Sequence, residues 1–387
     1  MNSFKSINEM LIHQAKVYHD KPLYTFLNDK IEETYRMSFS EVFSKAQKVG
    51  SSLNQVRHKS ETVLLLLPNG PEFIASFFGC IYGGMIAVPT PVPKTSQITS
   101  KLTRLIQDSQ ARIIICLQTY KQMLQDSLHK ELRDKIHILG FEEIQEPKIV
   151  KSTTRRDGIA FLQYTSGSTS EPKGVIVSHG NILSNERMIQ EAFNHNSESM
   201  VVGWLPFFHD MGLIGNILQP LFIGASSALI TPTTFLKKPL LWLETISKYQ
   251  ATTSGGPNFS FDLCCKAYDQ NPDMFKGSLE SLQVLFNGAE PIKASTLENF
   301  SIRFERHGFK KESFFPCYGM AETTLFVSGS QYDQSPHIYN IDYQKLAKQG
   351  ELCESQEIDH QIVSSGHVHS LQDLQIVNPE TKAQVTD

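Results

Sequence analysis

The sequence predicts an α/β protein whose chain forms two doubly wound parallel sheets. Short apolar runs of strand length alternate with helical patterns along most of the 387 residues. Residues 62–67 (TVLLLL) are continuously apolar, which is typical of a strand covered on both faces of a parallel sheet. A second strand–helix series starts at residue 200, and we therefore predict two α/β units.

The elements of the first series are predicted in chain order. Apolar spacing predicts a helix at residues 8–18, and a strand pair flanks the turn at Asn28 and Asp29. Ser38 and Glu41 fit a capping box, so a helix should run from there to about residue 56. The other predicted elements are strand 62–67, a helix from residue 73, strand end 87–93, helix 97–107, strand 112–116, helix 121–128, and strands 136–139 and 159–162.

The second series continues the same alternation from residue 200. Its predicted elements are strand 200–205, a helix from residue 211, strand 226–230, helix 239–248, strand 251–253, helix 259–268, strand 282–286 and a late strand at 373–377. No internal repeat of fixed period and no low-complexity tract interrupts the series.

Composition narrows the classes of protein that the chain can belong to. It is 40% hydrophobic and 20% charged, and its net charge of −4 offers no basic excess for nucleic acid. None of the six cysteines has C-x-x-C spacing, so we predict reduced thiols and a cytoplasmic location. Residues 73–88 are apolar but contain glycines and are short for a bilayer span. We predict a closely packed buried helix there and no integral membrane segment.

Residues 164–174 (YTSGSTSEPKG) are predicted to bind a polyphosphate. They follow the apolar strand 159–162, and ligands of open α/β sheets bind at the carboxyl ends of strands. Hydroxyls, backbone N–H groups that glycine leaves accessible, and one lysine suit phosphate oxygens. Pro172 before Lys173 and Gly174 after it exclude a Walker A loop. A polar surface turn is the alternative.

Residues 204–215 (WLPFFHDMGLIG) place His209 beside Asp210 after a predicted strand. The pair suits acid–base catalysis, but a lone histidine is more often structural or lines a pocket. The chain contains no G-x-S-x-G elbow beside this pair, which argues against a triad hydrolase. Residues 255–263 (GGPNFSFDL) fit the floor of an apolar channel or, nearly as well, an ordinary capped helix.

These motifs, together with residues 315–324 (FPCYGMAETT), resemble the adenylate-forming enzymes, which include acyl-CoA synthetases, luciferases and nonribosomal-peptide adenylation domains. The resemblance implies a five-layered αβαβα fold with part of a small β-barrel subdomain. It implies a first α/β region at 1–195, a second with the acyl and adenine site at 196–325, and the start of the barrel at 326–387. It also implies that the family's C-terminal domain, whose lysine assists adenylation, is absent.

The resemblance also implies a role for each matching residue, with ATP or AMP as the bound nucleotide and Mg²⁺ as the metal. The catalytic residues would be Lys173, Glu322 and His209, with Glu322 also holding Mg²⁺. The nucleotide-binding residues would be Thr165, Ser166, Gly167, Ser168, Thr169, Asn287, Gly288, Ala289, Glu290, Tyr318, Gly319, Met320 and Thr323. The substrate-binding residues would be His209, Asp210, Met211, Gly256, Pro257 and Phe259.

Four details are most similar to the fatty acyl-AMP ligases. They are Ser170 where many relatives have glycine, Asp-Met-Gly-Leu after His209, the adenine segment at 287–291 (NGAEP), and an inserted segment at 331–365. This resemblance implies a fatty acid substrate and an acyl carrier protein or a polyketide synthase carrier domain as partner. A fatty acyl-CoA ligase and a non-catalytic nucleotide-binding module remain open, and 331–365 could equally be a variable surface loop.

Overall fold

A computed structural model describes residues 4–57, 61–93, 98–144, 158–165, 173–351, 353–355 and 360–385. Within these ranges the chain forms sheets of six and nine strands and a separate two-stranded sheet. Helices connect most of the parallel strands, as the alternating sequence pattern predicts. The predicted doubly wound α/β fold is confirmed.

The helices and strands are labelled in chain order. The helices are α1 Ile7–Val17, α2 Phe39–Val56, α3 Pro71–Tyr82, α4 Ile98–Asp108, α5 Gln118–Ser127, α6 Lys130–Arg133, α7 His179–Ala192, α8 Gln219–Ile223, α9 Pro232–Lys237, α10 Pro239–Tyr249, α11 Asn258–Gln270, α12 Ala294–Phe304 and α13 Tyr343–Gln349. The strands are β1 Pro22–Leu27, β2 Glu33–Ser38, β3 Thr62–Leu66, β4 Ile86–Pro89, β5 Ile113–Cys116, β6 His137–Gly140, β7 Ile159–Thr165, β8 Lys173–Ser178, β9 Met200–Gly203, β10 Ser226–Leu229, β11 Thr253–Gly256, β12 Val284–Asn287, β13 Phe314–Gly319, β14 Phe326–Gly329, β15 Ile338–Ile341, β16 His360–Val363 and β17 His367–Val368.

The six-stranded sheet has the order β6-β5-β3-β4-β7-β8. Its strands are parallel except β8, which begins at Lys173, opposite Thr165, and runs antiparallel to β7. Strand β8 is not among the elements that the sequence predicts. Thr165 and Lys173 face each other at the carboxyl end of β7, and α7 begins at the opposite end of β8.

The nine-stranded sheet has the order β17-β14-β13-β12-β11-β9-β10-β1-β2. Here β1 lies parallel to β10, although it comes before the whole first series in the chain. Sheet membership therefore does not follow the predicted boundary at residue 195. The physical reason is that β1 is buried on both faces and needs a covered neighbour, which sequence order alone does not identify.

The two faces of the six-stranded sheet belong to separate cores. Leu64 and Ile114 pack with α4 and α5 on the outer side. Val63 and Ile113 point the other way, into a core that they share with helices lying against the nine-stranded sheet. On the far side of that sheet, Phe261 of α11 contacts the rings of α10, α12 and β13. The predicted five-layered αβαβα order is confirmed.

The glycine-bearing apolar segment forms α3, which is buried from Phe73 to Tyr82. A Cβ atom on Gly79 would lie 2.4 Å from the Cβ of Val49 on α2, so the two helices are in direct contact. This confirms the predicted close packing through glycine. In the described part of the chain, no helix is long and apolar enough to cross a membrane.

The region after β13 departs from the prediction. Strands β14 and β17 extend the nine-stranded sheet, β15 and β16 form the small sheet, and the described residues from 326 onward form no closed barrel. The predicted strand at 373–377 is absent, and only Val377 forms an isolated bridge with Gln384. Leu374 and Ile376 are exposed, and the carbonyl oxygen of Ile376 accepts from the N–H of Val385 at 2.9 Å, so the pairing with residues 384–385 is too short to form a strand.

Candidate active site

The predicted phosphate loop is only partly described. Thr165 ends β7 and Lys173 begins β8, opposite each other in the hairpin. Ser166, Gly167, Ser168 and Thr169 lie outside the described residues. Lys173 is exposed, so its ammonium group is accessible to an anion at this end of the sheet.

Glu322 lies on a short 3-10 turn, Ala321–Thr323, which follows β13 and contacts β8. Its side chain is exposed, and together with Val175 and Ile176 of β8 it lines a cavity of about 400 Å³. The strand that begins with Lys173 and the turn that carries Glu322 therefore border one cavity. In the sequence these two residues lie 149 positions apart.

A second cavity, of about 210 Å³, brings two of the predicted motifs together. His209, Asp210 and Met211 line one side, and Gly288 and Ala289 of the adenine segment line another. The remaining wall is mainly apolar, with side chains from α7 and from β12 to β14: Ile189, Phe193, Phe286, Cys317, Leu325 and Phe326. The cavity can accept an apolar group beside the predicted nucleotide segment.

Tyr318 lies at the border between this apolar cavity and a larger one of about 840 Å³. Its side chain is half exposed, and its hydroxyl group contacts the Sδ atom of Met320 at 3.7 Å. Gly319 lines both cavities, and the hydroxyl of Thr323 donates to the carbonyl oxygen of Met320 at 2.9 Å. An exposed aromatic ring in this position can stack on a base.

Two residues of the predicted adenine segment make structural contacts. The side chain of Asn287 is fully buried, and its Nδ2 group donates to Oδ1 of Asn258 at 3.4 Å, away from solvent. The carboxylate of Glu290 accepts from the N–H of Phe259 at 2.6 Å. That contact ties the segment to the first turn of α11, where a carboxylate stabilises the helix N-terminus.

Gly256, Pro257 and Phe259 are not among the described residues that line the apolar cavity. Gly256 is buried under Trp204, whose ring would lie 2.7 Å from a Cβ atom at this position. Pro257 precedes α11, and the partly exposed ring of Phe259 lies edge-on to Trp204 at 6.2 Å. Their assignment to the substrate stays a prediction, and the structure shows Gly256 and Phe259 packed against Trp204.

His209 and Asp210 form a close ion pair, with 2.7 Å between Nδ1 and Oδ1. The hydrogen bond that His209 donates to Asp210 raises the pKa of His209 above its usual 6.5, although partial burial opposes the shift. The same carboxylate accepts from the N–H of Met211 at 2.6 Å. Asp210 therefore both orients the imidazole and caps the helix that follows.

That helix is a π-helix, Met211–Leu218, where the sequence predicts an ordinary helix. π-helices are rare and occur frequently at functional sites. A Cβ atom at Gly212 would lie 2.1 Å from the carbonyl oxygen of Pro206, so the first turn requires glycine at this position. The wider turn sets the direction in which Met211 and Gly215 face the apolar cavity.

Sequence reasoning missed two amide side chains that hold the His209 motif. Asn69 donates to the carbonyl oxygen of Leu205 at 2.9 Å and accepts from the N–H of Phe207 at 3.0 Å. Gln163, buried on β7, donates to the carbonyl oxygen of Phe208 at 2.8 Å. Both lie at the carboxyl end of a strand of the six-stranded sheet. An amide within an otherwise apolar strand, as at Gln163, is the signal that could have identified them.

The inserted segment contributes to the larger cavity. His360 and Gln361 of β16 line it together with Lys293 and Tyr318. The ends of the segment meet, because Gly329 of β14 pairs with His367 of β17. The segment therefore leaves the nine-stranded sheet and returns to the same place, and its assignment as an insertion stays a prediction.

The chain matches the family model described as "AMP-binding enzyme" over residues 11–387. The chain belongs to the AMP-binding enzyme family. Among members of this family, it is 33% identical to a medium-chain-fatty-acid–[acyl-carrier-protein] ligase of Moorena producens, over 98% of this chain and 66% of that one. A second such ligase, from Teredinibacter turnerae, has the same identity and coverage. The chain thus spans slightly less than two thirds of these relatives.

Solved structures of family members show the same similarity. A fatty acyl-adenylate ligase from L. pneumophila, in complex with acyl adenylate and pyrophosphate, superposes with a TM-score of 0.88 at 35% identity, over 98% of this chain and 66% of that one. The adenylation domain of a keto acid-selecting nonribosomal peptide synthetase module matches at 20% identity with a TM-score of 0.87, over 100% of this chain and 73% of that one. At that identity the second similarity concerns the fold alone.

The residues beside the cavities fit a magnesium ion that is held mainly by phosphates. Among the described residues, no group of three or more histidine, cysteine or acidic side chains could form a complete metal site. Mg²⁺ usually binds through one or two carboxylates plus substrate phosphates and waters. The single exposed carboxylate of Glu322, facing the cavity beside β8, is a donor of this kind.

Proposed function

We propose that the protein adenylates a fatty acid with ATP and that the acyl group then passes to an acyl carrier protein. The observation that carries the proposal is the apolar cavity, which His209 and Met211 border on one side and the Gly288–Ala289 segment and Tyr318 on the other. It would accept the end of an acyl chain next to a nucleotide. The relatives that act on fatty acids support the same substrate class.

In this reaction a carboxylate oxygen of the fatty acid attacks the α-phosphorus of ATP. The bond from that phosphorus to the bridging oxygen breaks, and pyrophosphate leaves with the electron pair. The chain's main contribution would be positioning and charge neutralisation. Lys173 would neutralise phosphate charge, Tyr318 would cover the adenine, and His209 would border the carboxylate. Bound Mg²⁺, held by Glu322, would withdraw charge from the phosphates.

The test is ATP–pyrophosphate exchange by the complete protein with dodecanoate and Mg²⁺. Exchange that depends on the fatty acid supports the proposal, whereas absence of exchange over a series of chain lengths contradicts it. A variant Lys173→Met should lose most of the exchange, because a neutral side chain of similar length cannot offset phosphate charge. Lys311→Met, at an exposed lysine before β13, provides a control for loss of one surface charge.

The acceptor of the acyl group separates this proposal from a fatty acyl-CoA ligase. Both enzymes share the adenylation step and differ only in the thiol that attacks the acyl-adenylate. The complete protein should transfer acyl groups to a phosphopantetheine-bearing carrier protein and form little acyl-CoA. Mass spectrometry of both products under matched conditions decides between them, and predominant acyl-CoA would overturn the carrier-protein part of the proposal.

A further inference from the structure

Asn185 is a buried amide on α7 that belongs to none of the motifs. Its Nδ2 group donates to the carbonyl oxygen of Phe326 at 3.0 Å and to that of Thr323 at 3.4 Å. Its Oδ1 atom accepts from the N–H of Phe326 at 3.0 Å. One amide thus satisfies both backbone groups of the first residue of β14, in the way that a neighbouring strand would.

The segment that Asn185 holds is strained. Thr324 has φ 76° and ψ −62°, a γ-turn conformation that is rare for any residue and unfavourable for a β-branched one. Such a conformation persists only where surrounding contacts enforce it. The Asn185 bonds lie on both sides of Thr324, at Thr323 and Phe326, and Gln372 also donates to the Phe326 carbonyl at 2.8 Å.

Asn185 also connects two parts of the candidate site. Helix α7 follows β8 directly, and β8 begins with Lys173. The turn on the other side of the amide carries Glu322. We infer that Asn185 is a positioning residue, which holds the Glu322 carboxylate at a fixed place relative to Lys173 and β8 and so sets the site for Mg²⁺ on ATP. This inference rests on the proposed function, because it assigns Asn185 a role in nucleotide binding.

The experiment measures ATP binding by calorimetry, once with Mg²⁺ and once with EDTA, on the complete protein. In Asn185→Ala, the factor by which Mg²⁺ strengthens ATP binding should fall about tenfold, as is usual for loss of a residue that orients a metal ligand. ATP affinity in EDTA should change little. Asn185→Asp keeps the acceptor and loses the donors. Its Mg²⁺ effect on ATP binding should lie between those of the wild-type protein and of Asn185→Ala.

Asn8→Ala is the matched control, because Asn8 is equally buried and its Nδ2 group donates to the carbonyl oxygen of Ile81, far from the turn in sequence. It should lower stability without changing the effect of Mg²⁺. A double variant Asn185→Ala/Glu322→Gln should be no worse than Glu322→Gln alone, since the first residue acts through the second. Additive losses, or equal losses of ATP affinity with and without Mg²⁺, overturn the inference.

Hydrogen exchange distinguishes failure of this inference from failure of the proposed function. If the wild-type protein binds no ATP, the proposed function fails, and amide exchange at residues 323–326 then decides about Asn185. Faster exchange there in Asn185→Ala, but not in Asn8→Ala, supports the positioning role. Unchanged exchange contradicts it, whatever the protein binds.

Discussion

Glu322 is an exposed carboxylate on a strained turn, and it borders a cavity together with β8. Replacement by glutamine keeps the size and removes the charge, so the fold should be retained. We expect ATP–pyrophosphate exchange to fall about a hundredfold or more, a loss typical of removing one preorganised charge from a catalytic site. Glu298→Gln, at an exposed position on α12, should leave exchange unchanged, and an equal loss in both variants would contradict a specific role.

The pair His209–Asp210 predicts how the titration of a single residue, His209, depends on its neighbour. Because the hydrogen bond to Asp210 raises the pKa of His209, the stabilisation that it contributes is complete below about pH 6.5 and is lost as pH rises through the folded-state pKa. In Asp210→Asn, the titration midpoint of His209 should move downward. NMR titration of the imidazole measures this shift, and an unchanged midpoint would show that Asp210 is not its cause.

Two helices meet so closely that a single methyl group should separate them. Gly79 of α3 lies against Val49 of α2, and an added Cβ would lie 2.4 Å from the valine Cβ. We expect Gly79→Ala to lower the free energy of unfolding by about 1 to 3 kcal/mol, as overpacking does. Urea denaturation of both proteins measures this difference in the free energy of unfolding. Gly180→Ala is the control, because the nearest atom lies 3.8 Å from its added Cβ and alanine favours helix.

Buried polar groups connect α7, α8 and β11. The side-chain NH₂ group of Gln219 donates to the buried carboxyl of Glu186. The side-chain oxygen of Gln219 accepts from Nδ1 of His195 at 3.2 Å. Nε2 of His195 contacts the hydroxyl of Thr253 at 2.8 Å. Burial raises the pKa of Glu186 well above its ordinary value, which favours the neutral carboxyl, and lowers that of His195 to about 3, so the imidazole is neutral at neutral pH.

This network predicts opposite pH effects on the two sides of neutrality. A raised carboxyl pKa means that the folded state retains a proton which the unfolded state loses, so stability declines as pH rises above about 4.5. His195 has the opposite effect: below about pH 6.5 the unfolded state binds a proton that the buried imidazole does not, so the free energy of unfolding falls as pH falls. Above about pH 6.5, the buried carboxyl should lower the free energy of unfolding by at most about 1.4 kcal/mol per pH unit, and Glu186→Gln should remove this decline. Urea denaturation at several pH values tests this, with exposed Glu198→Gln as control.

The inserted segment is a feature of the whole molecule, because its two ends meet at β14 and β17 while its own strands form a separate sheet. Replacing residues 331–365 by a short linker should leave both large sheets intact, since loop length alone changes closure entropy little. If the segment restrains the acceptor step, the shortened complete protein should gain acyl-CoA formation.

Mass spectrometry of acyl-CoA and of the acylated carrier protein measures the outcome of that deletion. If the rate of ATP–pyrophosphate exchange changes as much as acyl-CoA formation does, the deletion has damaged the adenylation site, because Tyr318 and the segment line one cavity. If ATP–pyrophosphate exchange is retained but acyl-CoA formation does not increase, the segment does not restrain the acceptor step and is only a surface insertion.

The sequence by itself determined the elements and the motifs. Continuous apolar runs predicted the parallel strands, and the Ser38 cap predicted the start of α2, because these features depend on neighbours in the chain. The sequence also proposed the motif residues of the second α/β unit, since their side-chain types suit phosphate, base and metal, and their roles stay predictions.

Only the tertiary structure decided which distant segments meet. It placed β1 beside β10 and β8 antiparallel to β7, and it left residues 373–377 without a partner strand. It also identified Asn69, Gln163 and Asn185, whose amides hold backbone groups far away in the chain. The physical reason is that strand pairing and side-chain to backbone hydrogen bonds are satisfied across space, and a sequence records only order along the chain.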